Sequence, residues 1–156
     1  MKFSERCVIE ADRQRVWEFL EDAEKVARCM EGVQAFDPID DDHFRGVLRV
    51  KLGPVALSFE GTLKVEIRDP EQARMLLQAD ARDRKRGGRL RARLALQLAE
   101  LTGGRTQMHV DLDTTLQGKL SELGQPLIRR KTQVLLRNFA ERVSEELAEL
   151  RVLEGP

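Results

Sequence analysis

The chain of 156 residues is expected to form one domain, residues 1–156, with a core of its own. Its composition, 41% hydrophobic and 35% charged, excludes an intrinsically disordered or membrane-embedded protein, and its 27 basic residues are balanced by 27 acidic ones, which argues against a dedicated nucleic-acid-binding protein. With no bilayer-length apolar segment, no signal-peptide pattern and only two cysteines, a cytoplasmic location is expected.

The first third of the chain is predicted to form a strand followed by two short helices. Residues 3–10 have the pattern of a strand. Asp12 then provides an N-cap, because its carboxylate can accept hydrogen bonds from the free amides of a helix that runs through Trp17 to Leu20. A second helix is expected over about residues 22–29, and Gly32 ends it.

The middle of the chain is predicted to be an antiparallel sheet. Apolar and polar side chains alternate over residues 44–52, 55–67, 90–98 and 106–116, and residues 73–81 form a further strand. In the second segment every other side chain from Val55 to Ile67 is expected on the buried face. This period of two is typical of antiparallel strands that bury one face and expose the other.

The last third is predicted to be helical. Leu120, Leu123 and Leu127 open the helix. Pro126 would introduce a kink or a break, and from Val134 onward the apolar residues follow a period of about 3.6. Because strands and helices are segregated along the chain, the fold class is α+β, with the long helix packed on the sheet. A curved sheet around one helix leaves an internal space, and whether that space is filled or hollow decides the function.

The apolar faces of the strands and the long helix supply the candidate lining of this internal space. Gly61 lies in the middle of a strand, where it marks either a bend or room for a ligand. Strand alternation places no acid or base in the pocket, so no catalytic residue is predicted; the alternative is an ordinary filled core. The candidate ligand-binding residues are Leu48, Val50, Leu57, Phe59, Gly61, Leu63, Leu94, Leu96, Met108, Val110, Leu135 and Phe139.

Four loops are expected to share one rim of the sheet, because consecutive antiparallel hairpins alternate ends. They are residues 29–32, 53–54, 83–88 and 117–124, and their glycines suit either the mouth of a cavity or ordinary turns. The candidate rim and partner-binding residues are Cys29, Gly53, Pro54, Arg84, Lys85 and Arg86.

A basic run occupies residues 82–93, with seven cations within twelve residues. Such a run favours an anionic head group or an acidic partner, or else it is a solvated face neutralised by acids on neighbouring strands. No aromatic residue is interleaved to stack on bases, so nucleic acid is not expected as a partner. The acidic residues 40–42 are predicted to be a polar turn, and no metal site is predicted.

Short segments along most of the chain carry a resemblance to a known family. They are residues 16–20, 29–32, 50–55, 59–61, 103–106 and 118–120, of which the Val-Lys-Leu-Gly-Pro stretch at 50–54 is the most specific. On these residues the chain resembles the family of the CoxG subunit of carbon monoxide dehydrogenase, in the helix-grip superfamily of START domains, polyketide cyclases and birch-pollen-allergen-like proteins. Glu31 stands where that family usually has a proline.

The resemblance implies a curved antiparallel sheet of about seven strands around a long C-terminal helix, with two short helices after strand one. It also implies a pocket for a lipid-like or polycyclic ligand, such as a bound quinone or lipid. The partners it implies are subunits of a molybdenum-containing carbon monoxide dehydrogenase-type enzyme, or the inner face of the membrane. Two alternatives stay open: a polyketide cyclase/dehydrase-like enzyme, which needs an acid or base in the pocket, and an assembly module that docks through the basic rim.

Overall fold

The fold is seen in a computed structural model that describes residues 1–155. It has the predicted order of one strand, two short helices, six more strands and a long helix. The elements are β1 (Lys2–Ile9), α1 (Arg13–Glu21), α2 (Ala23–Cys29), β2 (Val33–Pro38), β3 (His43–Leu52), β4 (Val55–Asp69), β5 (Arg74–Asp83), β6 (Gly88–Leu101), β7 (Arg105–Gly118), a 3-10 helix (Lys119–Glu122) and α3 (Gln125–Glu154).

All seven strands form one antiparallel sheet in the order β1-β7-β6-β5-β4-β3-β2. Strands β2 to β7 follow one another through hairpins, and β1 joins the free edge of β7. One face of the sheet packs against the helices and the other is open to solvent. The predicted α+β helix-grip architecture is therefore confirmed.

Local capping places the two short helices as the sequence predicts. The Asp12 carboxylate accepts a hydrogen bond from the Arg15 amide at 3.0 Å and so starts α1. Asp22 accepts from the Lys25 amide at 3.2 Å and starts α2 directly after the end of α1. The buried face of α1 is anchored by Trp17, which is 2% exposed. The helix pair thereby closes one end of the space between the sheet and α3.

The predicted kink at Pro126 was wrong, but a break does separate the two helical segments just before it, at Leu123 and Gly124. α3 begins at Gln125, so Pro126 occupies its first turn, and Leu120 belongs to the separate 3-10 helix. Proline is well suited to a first turn because the amide that it lacks would have no acceptor there. The helix then continues unbroken to Glu154 and buries Phe139 and Val143 against the sheet and the short helices.

A bulge in β4 overturns part of the predicted alternation. The pairing of β4 with β5 shifts between Val65 and Ile67, so that the residues after the bulge exchange faces. Ile67, expected on the buried face, is 38% exposed. Arg68, which follows the predicted segment 55–67, lies against the interior cavity described below. An extra residue in one strand reverses the inward and outward sides beyond it, because side chains alternate with a strict period of two.

The core is divided into two hydrophobic clusters. The larger cluster joins α1, α2 and the middle and C-terminal parts of α3 to the sheet, with Ile9 and Val143 completely buried. The smaller one surrounds Leu57 and Leu120, under the 3-10 helix at the opposite end. The smaller cluster therefore lies at the end that carries the turns after β3 and β5, where it borders a groove of about 480 Å³.

Candidate functional site

An apolar cavity of about 220 Å³ lies between the sheet, the two short helices and α3. It is in the half of the sheet that ends at the turns after β2, β4 and β6. Three of the four predicted rim loops lie at the opposite end, around the smaller cluster, whereas Met30 of the loop 29–32 lines this cavity. The cavity is lined by Leu20, Glu21, Ala23, Val26, Ala27, Met30, Val33, Phe36, Phe44, Leu63, Val65, Arg68, Met75, Leu77, Leu94, Leu96, Met108, Val110, Leu136 and Phe139.

Half of the predicted ligand-binding residues meet in this cavity. The six that line it are Leu63, Leu94, Leu96, Met108, Val110 and Phe139. Leu48, Phe59 and Gly61 instead line a second cavity of about 190 Å³ that shares the walls Val33, Phe36, Phe44 and Leu63. On α3 the wall is formed by Leu136, one residue after the predicted Leu135, because Leu136 and Phe139 share a helix face. Ligand contact by any of these residues stays a prediction.

Besides Leu135, two predicted residues, Val50 and Leu57, lie in neither cavity. Val50 packs on the smaller cluster, which includes Leu57. Leu57 also borders the groove at that end together with Lys85 and Arg86. Val50 and Leu57 are therefore separated from the predicted ligand-binding residues around Phe139.

Sequence reasoning missed the wall that the short helices supply. Ala23, Val26 and Ala27 of α2 face the cavity, and the apolar residues of that helix were the available signal. From β2 comes Phe36, whose ring stacks on Phe44 with the ring centres 5.1 Å apart. This aromatic pair belongs to the wall shared by the two cavities.

Two polar side chains, Glu21 and Arg68, also line the cavity. Glu21 is the last residue of α1 and is exposed, whereas Arg68 is brought to the wall by the β4 bulge. The Arg68 guanidinium donates to the Asp42 carboxylate and, at 2.8 Å, to the Asp41 carbonyl oxygen. No local sequence pattern signals this arrangement, because the bulge depends on the pairing of β4 with β5.

The acidic turn after β2 is organised by its own hydrogen bonds. The Asp40 carboxylate accepts from the backbone amides of Asp42 and His43, both at 2.9 Å, and lies 2.8 Å from His43 Nδ1. The hydrogen bond from the His43 side chain is the largest cause of a lowered Asp40 pKa. Within residues 1–155 no group of three or more His, Cys, Asp or Glu side chains is placed to hold a metal ion. The turn serves instead to position Arg68.

Gly61 is required by a close approach of strands. A Cβ at this position would lie 2.6 Å from the Ala81 Cα and would also overlap the Asp80 carbonyl oxygen of β5. Contacts with Cβ atoms shorter than 3.0 Å essentially never occur. The glycine is therefore explained by strand packing, although it also borders the second cavity.

Cys29 is not at an open rim. It ends α2, is 2% exposed, and belongs to the larger cluster. Burial raises the pKa of its thiol, and the Glu146 carboxylate adds to that effect. A buried thiol of this kind packs as a small apolar residue rather than reacting.

The basic loop after β5 is fixed by a buried carboxylate. Asp83, 2% exposed, accepts hydrogen bonds from the backbone amides of Lys85 at 2.9 Å and Arg86 at 3.1 Å. Arg86 also donates through Nε to the Ala56 carbonyl at 3.3 Å, which ties this loop to the start of β4, just after Gly53 and Pro54. Three of the four predicted rim loops thus meet around one groove.

Acids on neighbouring strands neutralise part of the basic run. Arg84 pairs with Glu60 at 3.2 Å and Arg93 pairs with Glu66 at 3.4 Å. Asp80 pairs with Arg89 at 2.5 Å and with Arg91 at 3.9 Å. In the described part of the chain, the cations without an acidic partner in this run are Arg82, Lys85 and Arg86.

Comparison with protein-family models gives one match, to the CoxG subunit of carbon monoxide dehydrogenase, over residues 6–148. The chain belongs to this family. The match spans both cavities, the acidic turn and most of α3, so the fold and the candidate site lie within the family region. A search of curated protein sequences found no significant match.

Solved structures support the fold independently of the family match. A conserved protein from Geobacillus kaustophilus is similar, with a TM-score of 0.85 at 17% identity and 96% of both chains covered. A START superfamily protein from Mycobacterium smegmatis gives a TM-score of 0.64 at 12% identity, with 96% of this chain and 98% of that chain covered. The Zhui aromatase/cyclase from a Streptomyces species gives 0.60 at 13% identity, covering 97% and 95%. At these identities the likeness shows the helix-grip fold of this family member and no more.

The alternative of an enzyme depended on an acid or base inside the pocket. Glu21 and Arg68 place one carboxylate and one guanidinium on the cavity wall, so the prediction that no acid or base lies in the pocket was wrong. The remainder of the wall is apolar.

None of the helices within residues 1–155 has both the length and the apolar character to cross a membrane.

Proposed function

We propose that the chain is a non-catalytic carrier of a hydrophobic small molecule, lipid-like or quinone-like, held between the sheet and α3. The observation that carries this proposal is the cavity of about 220 Å³ whose lining is apolar except for Glu21 and Arg68. Apolar surface buried there would drive binding at roughly 25 cal/mol per Å² removed from water. The polar pair would orient the ligand rather than hold it.

The size of the cavity limits what can bind. At about 220 Å³ it exceeds the ~150 Å³ apolar cavity that accommodates benzene, and it is below the ~300–1,000 Å³ typical of sites for drug-sized ligands. One or two rings, or a short stretch of acyl chain, would fill it. A longer ligand would extend past the Phe36–Phe44 stack into the adjoining cavity of about 190 Å³.

The family supports a second part of the proposal. The ligand would be carried in the course of maturing, or coupling to the membrane, a molybdenum-containing carbon monoxide dehydrogenase-type enzyme. The protein would work in the cytoplasm, peripherally at the inner membrane face. The loop that carries Arg84, Lys85 and Arg86 is the candidate docking surface, because Asp83 fixes its backbone and two of its three cations have no acidic partner within the described chain.

Native mass spectrometry tests the carrier proposal. The native mass is compared with the denatured mass, and a releasable adduct of a few hundred daltons is expected. Leu94→Trp should block the cavity and remove the adduct, since Leu94 lines it. Gln97→Trp is the matched control, because Gln97 is exposed on the opposite face of the same strand. If purified protein has no adduct and takes up neither an added quinone nor a fatty acid, the carrier proposal is wrong.

Docking is tested separately by reversing charge. The double variant with Arg84→Glu and Arg86→Glu is expected to lose capture of the dehydrogenase subunits while its ligand content stays unchanged. Arg93→Glu, in the same basic run but paired with Glu66, is the control. Unchanged capture by the double variant would exclude this loop as the docking surface.

A cyclase-like enzyme is the second candidate, and Glu21 with Arg68 is the observation that favours it. An enzyme of this type would return a ligand changed in mass or in absorption after incubation. A carrier would release the same molecule that it took up. Recovery of an altered product from wild type, but not from the double variant Glu21→Gln and Arg68→Met, would decide for the enzyme.

A further inference from the structure

The polar end of the cavity is produced by an irregularity in β4. The bulge between Val65 and Ile67 turns Arg68 toward the cavity, where its side chain is 29% exposed. A guanidinium has five N–H donors, no acceptor and a permanent positive charge. Arg68 is therefore the group on the cavity wall suited to donating hydrogen bonds to a ligand.

The charge of Arg68 is already balanced by the protein. Its guanidinium forms an ion pair with the Asp42 carboxylate and donates to the Asp41 carbonyl oxygen. These two contacts use two of the five N–H groups and leave others for a further acceptor. Glu21 adds another carboxylate to the same wall.

This inference rests on the proposed function. We propose that Arg68 makes the cavity bind neutral ligands that end in a carbonyl group more tightly than ligands that end in an ionised carboxylate. A carbonyl oxygen would receive a charge-assisted hydrogen bond from Arg68. A ligand carboxylate at Arg68 would meet a guanidinium already paired with the Asp42 carboxylate, and taking an ionised group out of water without a free partner is costly. A pure hydrocarbon would use the apolar wall and gain nothing from Arg68.

Three compounds of nearly equal shape test this selectivity. They are 2-acetylnaphthalene, 2-naphthoate and 2-ethylnaphthalene, whose two fused rings suit a cavity about one and a half times the ~150 Å³ that holds benzene. Affinities are measured by calorimetry at pH 7. Because a hydrogen bond to a charged group is strong, the wild-type protein should bind the ketone about tenfold or more tightly than either other compound.

Three variants assign the selectivity to Arg68. Arg68→Met should lower the affinity for 2-acetylnaphthalene to that for 2-ethylnaphthalene. The affinity for 2-ethylnaphthalene should stay unchanged, which shows that the variant is folded. Asp42→Asn should raise the affinity for 2-naphthoate, since it frees the positive charge of Arg68. Arg93→Met, which also breaks an arginine–carboxylate pair but on the solvent face, should leave all three affinities unchanged.

The outcomes separate this inference from the proposed function. If wild type binds 2-ethylnaphthalene but binds the ketone no more tightly, or binds 2-naphthoate as well as the ketone, the selectivity is refuted and the carrier proposal stands. The selectivity is refuted in the same way if Arg68→Met preserves the preference for the ketone. If wild type binds none of the three compounds, both the cavity as a binding site and the inference are refuted.

Discussion

The strongest structural prediction concerns Gly61, where β3, β4 and β5 come close together. Gly61 lies opposite Gly46 on one side and Ala81 on the other. A Cβ on Gly61 would be 2.6 Å from the Ala81 Cα and 2.8 Å from its Cβ, and would overlap the Asp80 carbonyl oxygen. Backbone atoms cannot rotate out of the way as a flexible side chain can. Gly61→Ala should therefore force the two strands apart and destabilise the protein.

The expected magnitude follows from two opposing effects. Overpacking a well-packed region costs about 1–3 kcal/mol. Replacing glycine by alanine returns about 0.4–1 kcal/mol, because the unfolded chain has less conformational freedom to lose. The difference of the two effects is about 0–2.6 kcal/mol, and because the overlap is with backbone atoms the net loss in the free energy of unfolding should be in its upper part, about 1–2 kcal/mol. For a domain of this size that corresponds to a melting temperature lower by roughly 2–8 °C.

Urea unfolding and thermal unfolding, both followed by circular dichroism, measure this effect. Ser58→Ala is the control, because Ser58 is exposed on the other face of the same strand and should change stability by no more than about 0.5 kcal/mol. If Gly61→Ala is as stable as wild type, the strands do not approach this closely. The glycine would then mark open space, which is the alternative that the sequence left for this position.

Three further predictions test single contacts. Thr106→Val removes a buried hydroxyl that donates to the Ala11 carbonyl at 2.7 Å and should lower the free energy of urea unfolding by about 1–3 kcal/mol; no loss would contradict the contact. His43→Ala should raise the lowered pKa of Asp40 toward its ordinary value in an NMR titration, and an unchanged pKa would exclude the hydrogen bond as its cause. Because that pKa is lowered on folding, ionised Asp40 contributes to stability above its ordinary pKa, and the contribution is lost as pH falls through the folded value. Burial raises the pKa of Cys7 to about 11, so iodoacetamide at pH 8 should label Cys7 far more slowly in folded than in unfolded protein, and equal rates would refute its burial.

Much of the fold could be predicted because its signals are local. The caps Asp12 and Asp22 satisfy amides three residues away, so a short segment of sequence contains the whole interaction. The strands are recognised by their alternation, and α3 by its helical apolar stripe. Pro126 shows where this kind of reasoning fails, because the same residue ends one helix or begins another according to where the first turn lies.

The candidate site was predicted less completely than the fold. Leu63, Leu94 and Phe139 were found because the inward face of a regular strand or helix can be read from its period. The end that holds the cavity was left open by the sequence, because glycine-rich loops suit a cavity mouth and ordinary turns alike; three of the four candidate loops lie around the second cluster. Whether apolar residues fill a space or surround one depends on how side-chain volumes from distant segments add up, and no periodicity contains that information.

The sequence by itself determined the α+β class, the order of most elements and the apolar face of the regular strands and of α3, since these follow from spacing within a few residues; it did not locate β2 or the reversed end of β4. Only the tertiary structure decided where the cavity lies and which polar groups reach it. The bulge between Val65 and Ile67 exists because β4 and β5 pair with one extra residue on one side. That pairing between strands reverses the inward side of β4 and brings Arg68 to the Asp42 carboxylate at the wall of the cavity.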